Sequence, residues 1–410
     1  LFTNSSIVRH GTPMTQFEPD TPRSFRSQVR PLLLLTSIFF LNFASRIVLS
    51  PLMPTVEADL EISHSQAGSL FVFISAGYFL SLIAAGLISS RLMHYRTIIL
   101  SALAVGIALL GISLSHGLWQ MRLGLFILGL AAGLYLPSGI ATLTSLISAK
   151  DWGKGVAIHE IAPNMAFVAV PLISEALLPW VSWQHVLGLM GVVSLLVAAA
   201  FALFGQGGRF PGQPPEWRSF QPLTTNPAFW IMALLFGLAI GSSMGVFSML
   251  PLYLVAEHDI PRDWANTLIS LSRISSVAIA FVAGWATDRL GPRRVLATVF
   301  LLTGTLTILL GLAPKAWIIV IVFLQPLVAV CFFPAGFAAL SSILPARARN
   351  VAVSLTIPLA YLLGGGAFPV GIGLFADAGM FAWGFAFFGA LIMTGALCSL
   401  RLKLDNPSSG

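Results

Sequence analysis

Three groups of side chains in this chain have the type and spacing to do chemistry. The first is a pair of arginines, Arg46 and Arg273, each set deep in a long apolar run. Arg46 stands in Leu41-Asn42-Phe43-Ala44-Ser45-Arg46-Ile47-Val48-Leu49-Ser50-Pro51, and Arg273 is flanked by Ser270, Ser272, Ser275 and Ser276. A guanidinium offers a planar fork of donors that matches a carboxylate or a phosphate. The two arginines therefore read as a clamp for an anion, with Asn42, Tyr361 and Gln325 as further polar contacts. The second group is His159, Glu160 and Asn164 around Pro163. Pro163 cannot donate to the carbonyl of His159, so the helix kinks there. Glu160 and Asn164 share a face at i and i+4, whereas His159 and Glu160 point about 100° apart. A carboxyl, an imidazole and an amide within two turns can handle a proton. No third or fourth ligand accompanies the His-Glu pair, so neither a metal nor a cofactor is expected. The third group is the loop Gly284-Trp285-Ala286-Thr287-Asp288-Arg289-Leu290-Gly291-Pro292-Arg293-Arg294, which joins two apolar runs.

The elements that position these groups are membrane helices. Of the 410 residues, 57% are hydrophobic and 9% charged, against roughly a quarter charged in soluble domains. A span needs about 20 apolar residues. Twelve such runs lie near 31–53, 65–89, 97–115, 119–146, 153–178, 184–205, 227–254, 264–286, 293–313, 316–343, 350–375 and 380–401. The fold class is all-α, with twelve transmembrane helices in two six-helix halves. Residues 1–26 read as a disordered tail, 27–205 as the first half, 206–226 as a linker, 227–402 as the second half and 403–410 as a second tail. With the N terminus inside, inner segments hold 17 of the 22 Lys and Arg, and outer loops hold Arg262 and Lys315. That bias puts both termini in the cytoplasm of a cell that carries the protein in its plasma membrane. The basic residues are thus topology signals, and the net charge of +7 does not call for nucleic acid. Cys331 and Cys398 lie in spans and are not expected to form a disulfide.

The halves repeat. Pro137-Ser138-Gly139-Ile140-Ala141 matches Pro334-Ala335-Gly336-Phe337-Ala338 at an offset of 197, and Gly86 to Arg96 is a degenerate copy of Gly284 to Arg294 at 198. In that copy Arg91 is kept, while Ser90 replaces the acid and Met93 the turn glycine. The G-x-x-x-D-R-x-G-x-R-R pattern resembles the signature loop of the major facilitator superfamily of transporters. Asn42, Arg46 and Ser50 resemble the helix-1 pattern of its anion:cation symporter and organic-anion-transporting branches, with Ser45 where those carry an Asp. The resemblance implies anion binding at Arg46 and a gate built from Gly284, Asp288, Arg289, Gly291, Arg293 and Arg91. Gly284 is expected to let two helices approach closely.

Function follows as an expectation. No G-x-x-x-x-G-K-[ST] run is present, so ATP does not drive the chain, and no nucleophile–base set marks an enzyme. The reading is a monomeric secondary transporter of a small organic anion, coupled to a proton in preference to sodium, with Glu160 carrying the proton. A transporter-like receptor or a membrane-embedded enzyme ranks below the first alternative, a multidrug or cation efflux antiporter. That class expects an acid in helix 1 and a G-x-x-x-G-P run in helix 5, and neither is present.

Overall fold

The protein is described by a computed structural model over residues 25–214, 225–343 and 346–402. Residues 1–24 and 403–410 of the expected tails, part of the linker and the side chains of Arg347 and Arg349 lie outside the described residues, while Phe25 and Arg26, expected in the disordered tail, begin the first helix. Apolar runs leave the backbone to satisfy itself, and the helix does so within one segment. In chain order the helices are α1 (Phe25–Ile47), α2 (Leu49–Leu60), α3 (His64–Ser113), α4 (Leu118–Gly133), α5 (Tyr135–Leu146), α6 (Trp152–Leu177), α7 (Trp183–Phe204) and α8 (Pro227–Ile240). Then follow α9 (Val246–His258), α10 (Arg262–Leu290), α11 (Pro292–Leu312), α12 (Ile318–Ala329), α13 (Phe332–Ser342), α14 (Ala346–Ala360), α15 (Phe368–Asp377) and α16 (Phe381–Leu400). Two π-helical turns, Gly241–Gly245 and Tyr361–Ala367, join α8 to α9 and α14 to α15. Among the described residues there is no strand.

Ten helical stretches among the described residues are long and apolar enough to cross a membrane, and the chain is a multi-pass integral membrane protein. Two features separate this number from the twelve runs of the sequence. The helix α3 has 50 residues, about 75 Å at the helical rise, over twice the thickness of the hydrocarbon core. It is broken at Met93, where φ is 68° and ψ 156°. The helix α10 has 29 residues but carries Arg262, Asp263, Arg273, Asp288 and Arg289, and is not one of the ten.

Several crossings are broken near the middle. Pro137 cannot donate to the carbonyl of Gly133, and the chain steps at Leu134 from α4 to α5. Pro334 does the same for Val330, and the step from α12 to α13 falls at Val330 and Cys331. Pro251 leaves the Phe247 carbonyl without its helical donor. Ser50 takes that place from the other half, its hydroxyl donating at 2.7 Å.

The two ends of the bundle differ. At the end away from the termini the halves are bolted together. The Asp377 carboxylate accepts from the Ser63 hydroxyl at 2.8 Å and from the Ser65 amide at 3.2 Å. The packing there is backbone-close: a Cβ on Gly68 would lie 2.4 Å from the carbonyl oxygen of Pro369. At the end bearing the termini, the stretch after α7 folds back onto the broken α3. The His94 amide donates to Phe210 at 3.2 Å, Tyr95 to Gly208 at 2.8 Å, and Gly212 to Ser89 at 3.0 Å.

Candidate functional site

Arg46 closes the last turn of α1, and only 5% of it is exposed. Rings cover its guanidinium: Tyr78 at 4.3 Å, Phe43 at 4.8 Å and Tyr361 at 5.2 Å from the ring centroids. Such contacts stabilise a desolvated cation, and the Tyr361 hydroxyl also lies within hydrogen-bonding reach of the guanidinium. Nε is 3.5 Å from the Asn42 carbonyl, and Nη1 has no hydrogen-bond partner among the described residues. Arg46 lines a cavity of about 20 Å³ between the halves, room for about one water. Phe71, Ile74, Ser75 and Tyr78 from α3, Met244 from the first π turn, Ser248 from α9, and Tyr361 and Gly365 from the second π turn complete the wall. Ser75, Met244 and Ser248 are wall residues that the sequence reading missed. Their signal is spacing: 71, 74, 75 and 78 share one helical face, and 244/248 and 361/365 are pairs at i and i+4.

Arg273 is also buried, at 8% exposure, but it does not line this cavity. Its Nη2 donates to the Ser243 carbonyl at 2.9 Å, and its guanidinium lies 4.4 Å from the Phe167 ring and 5.1 Å from Phe247. Phe167 in turn meets Phe43 edge-on at 5.2 Å. The two arginines therefore flank one aromatic cluster, on opposite sides, rather than facing each other. Two other expected contacts also point elsewhere. Asn42 donates to the Ala132 carbonyl at 3.0 Å, and Gln325 to the Ser242 carbonyl at 2.8 Å. Of the expected substrate contacts, Arg46 and Tyr361 meet at the cavity, while Asn42, Gln325 and Arg273 hold backbone carbonyls.

His159 is fully buried, stacked on Phe39 at 4.4 Å. The Tyr135 hydroxyl is 3.0 Å from both the Leu35 carbonyl and His159 Nε2. The carbonyl can only accept, so the tyrosine proton goes there and Nε2–H donates to the tyrosine oxygen. Nδ1 then faces Glu160 Oε1 at 3.3 Å. Being consecutive in sequence was expected to keep these two apart. Rotation of the glutamate about its long side chain brings them together instead. Half of the Glu160 side chain, 49%, is exposed, while Asn164 Nδ2 donates to the Glu160 carbonyl at 2.8 Å.

The profile of the family described as Major Facilitator Superfamily matches residues 35–275 and 248–410. The chain belongs to that superfamily. Its members are transporters and not enzymes. Among similar proteins, a TsgA homolog of Buchnera aphidicola subsp. Acyrthosiphon pisum is 24% identical over 249 residues, 58% of this chain and 62% of the relative's length. The MFS-type transporter YceJ of Bacillus subtilis is 24% identical over 79% of this chain and 83% of its own. The membrane sensor protein UhpC of Salmonella typhimurium is 23% identical over 69% of each. Of solved structures, a bacterial homolog of the human lysosomal transporter Spinster, inward-facing and occupied, superposes with a TM-score of 0.77 at 18% identity, covering 93% of this chain and 96% of that one. The nucleoside transporter NupG gives 0.71 at 16% identity, covering 91% and 100%.

The superfamily loop sits at the termini end. Gly291 makes its turn with φ of +81°, as the motif requires. Asp288 and Arg289 are exposed; Arg289 lies 5.6 Å from the Trp285 ring, and Arg293 donates to the Leu400 carbonyl. Asp288 and Arg91 have no ion-pair partner among the described residues. Gly284 corrects an expectation. Among the described residues a Cβ there would meet nothing within 4 Å, so no described helix packs against it in this conformation. At the far end stands a lock that the sequence reading missed. Glu175 Oε1 accepts from Arg262 Nε at 3.0 Å and from Asn266 Nδ2 at 2.6 Å, and Arg262 Nη1 donates to Thr55 at 2.9 Å. Arg262, expected in an outer loop, is the first residue of α10 and grips α2 and α6 across the halves. Its signal was Asn266 one turn further along the same helix.

Proposed function

We propose that this chain is a secondary active transporter that carries a small organic anion across the plasma membrane by alternating access. One observation carries the reading. Arg46 is buried between the halves, beside a cavity, with its Nη1 donor unpartnered among the described residues. Leaving a charged donor unpaired in the interior is costly, and an anionic substrate is the partner that would remove the cost. Counting the two legs of α3 separately and adding α10 gives twelve crossings in two six-helix halves. Both termini are then cytoplasmic, following the distribution of Lys and Arg. The bolted end is in that case the outer one, and the conformation is open to the inside. Asp288, with Arg289, Arg293 and Arg91 around it, serves as the latch that forms when the inside closes.

Coupling is assigned to a proton held by the His159–Glu160 pair. With Nε2–H committed to Tyr135, the pair shares one proton across Nδ1 and Oε1, as imidazolium with carboxylate or as imidazole with acid. The protein works as a monomer. The test is uptake of labelled carboxylates into proteoliposomes under an imposed pH gradient. Wild type accumulates the anion. Arg46→Lys loses uptake while reaching the membrane normally, because an ammonium cannot reproduce the in-plane fork. Glu160→Gln keeps exchange and loses accumulation. Uptake of cations in place of anions, or full uptake by Arg46→Lys, overturns the reading.

A further inference from the structure

We infer that the Arg46 seat selects a monoanion: a small hydroxy acid with a single carboxylate. The inference rests on the anion reading above and names its substrate class. The wall of the cavity contains one cation and no acid. The rings of Tyr78, Phe43 and Tyr361 crowd the guanidinium at 4.3–5.2 Å, and its Nη1 edge, closed to solvent in this conformation, has no hydrogen-bond partner among the described residues. An edge of this kind seats one planar carboxylate. The other buried cation of the region cannot supply a second seat. Arg273 is committed to the Ser243 carbonyl and to Phe167, and the Phe43–Phe167 contact stands between it and Arg46. His159 and Glu160 lie outside the wall. A monoanion therefore forms a neutral pair with Arg46. A dianion brings one negative charge into the low-dielectric interior without a partner. The wall also has a place for a hydroxyl. Ser248 spends its proton on the Met244 carbonyl at 2.8 Å, so its oxygen is left to accept from the ligand.

The test compares acids of matched length that differ in one carboxylate: glycerate with tartronate, threonate with tartrate, and gluconate with glucarate. Binding to the purified full chain is measured by calorimetry at neutral pH. The monoanion of at least one pair should bind more tightly by about tenfold or more, with binding lost in Arg46→Gln. Ser248→Ala should weaken lactate and leave propionate unchanged. Met244→Arg, which adds a second cation to the wall, should turn the preference toward the dianion, and it carries the test if Arg46→Gln does not fold. Tighter, Arg46-dependent binding of the dianions in wild type overturns the charge class and leaves the anion reading standing. Binding of no acid in any pair, or binding indifferent to Arg46→Gln, overturns the anion reading and the class with it.

Discussion

The first crossing and the one at Pro227–His258 break at matching positions and use the break in opposite ways. Moved back by the 197-residue offset of the repeat, the π turn Gly241–Gly245 falls on Ala44–Val48, where α1 gives way to α2. The first-half break presents a charged side chain, Arg46, with a free donor beside a cavity. The second-half break presents backbone: the Ser242 carbonyl takes Gln325 and the Ser243 carbonyl takes Arg273. A helix interruption frees backbone polar groups that must be bonded in lipid. In the second half the polar side chains nearby are consumed by that task. In the first half Asn42 already holds Ala132 in the adjacent helix, and Arg46 Nη1 is left unpartnered among the described residues. An arginine in a membrane is thus not in itself a binding residue; what its donors already hold decides.

The largest effect should come from exchanging the two arginines' fates. Arg46→Gln should cost binding of a carboxylate roughly 2–5 kcal/mol without lowering the melting temperature, because it removes an unpaired buried donor. Arg273→Gln should do the reverse, lowering stability by about 1–3 kcal/mol as its carbonyl loses a partner, with binding nearly intact. Thermal unfolding and calorimetry on the same samples separate the two. Equal loss of binding in both variants would restore a two-arginine clamp.

Next in size is the packing that lets the second-half break exist. A Cβ on Gly364 would come 2.3 Å from the Gly241 amide nitrogen and 2.5 Å from the Gly237 carbonyl oxygen. Gly364→Ala should cost about 1–3 kcal/mol by overpacking, read as a lower unfolding temperature in detergent. A wild-type value would mean that the two π turns are not in contact.

A smaller effect sharpens the contrast between the ends. Glu175→Gln weakens the far-end lock by about 1 kcal/mol, so labelling of a cysteine placed at position 63 should rise roughly fivefold. Asp288→Asn should move the same equilibrium the other way and lower that labelling. Movement in the same direction for both would break the assignment of one latch to each end. The smallest effect belongs to Gly284→Ala. With open space around it, alanine should be neutral or stabilising by up to about 1 kcal/mol in this conformation, through helix propensity alone.

The helical architecture was legible because each apolar run is long enough to announce itself. Arg46 was legible for the same reason, as a charge where charge is costly. The breaks were half-legible: Pro137 and Pro334 mark them in α5 and α13, but nothing in Gly241–Gly245 says π turn rather than close packing. The fate of Arg273 was hidden, because its acceptor is a backbone carbonyl 30 residues away with no side-chain signature. Glu175 was hidden by its address. It lies near the end of an apolar run and reads as a boundary residue until α10 arrives from the other half. The contact of His159 with Glu160 depended on a side-chain rotation that helical spacing does not encode.

The Ser50 to Phe247 bond joins residues 197 apart, the offset of the repeat itself. Each is the other's counterpart, so their contact lies on the axis that exchanges the two halves. In the proposed cycle the halves rock about a different axis, in the membrane plane near mid-depth, and this pair sits at the mid-helix breaks of both halves, where such a motion moves points least. A covalent tether between these two positions should then leave the proposed cycle running. The same tether between Ser63 and Asp377, far out on the lever arm, should stop it.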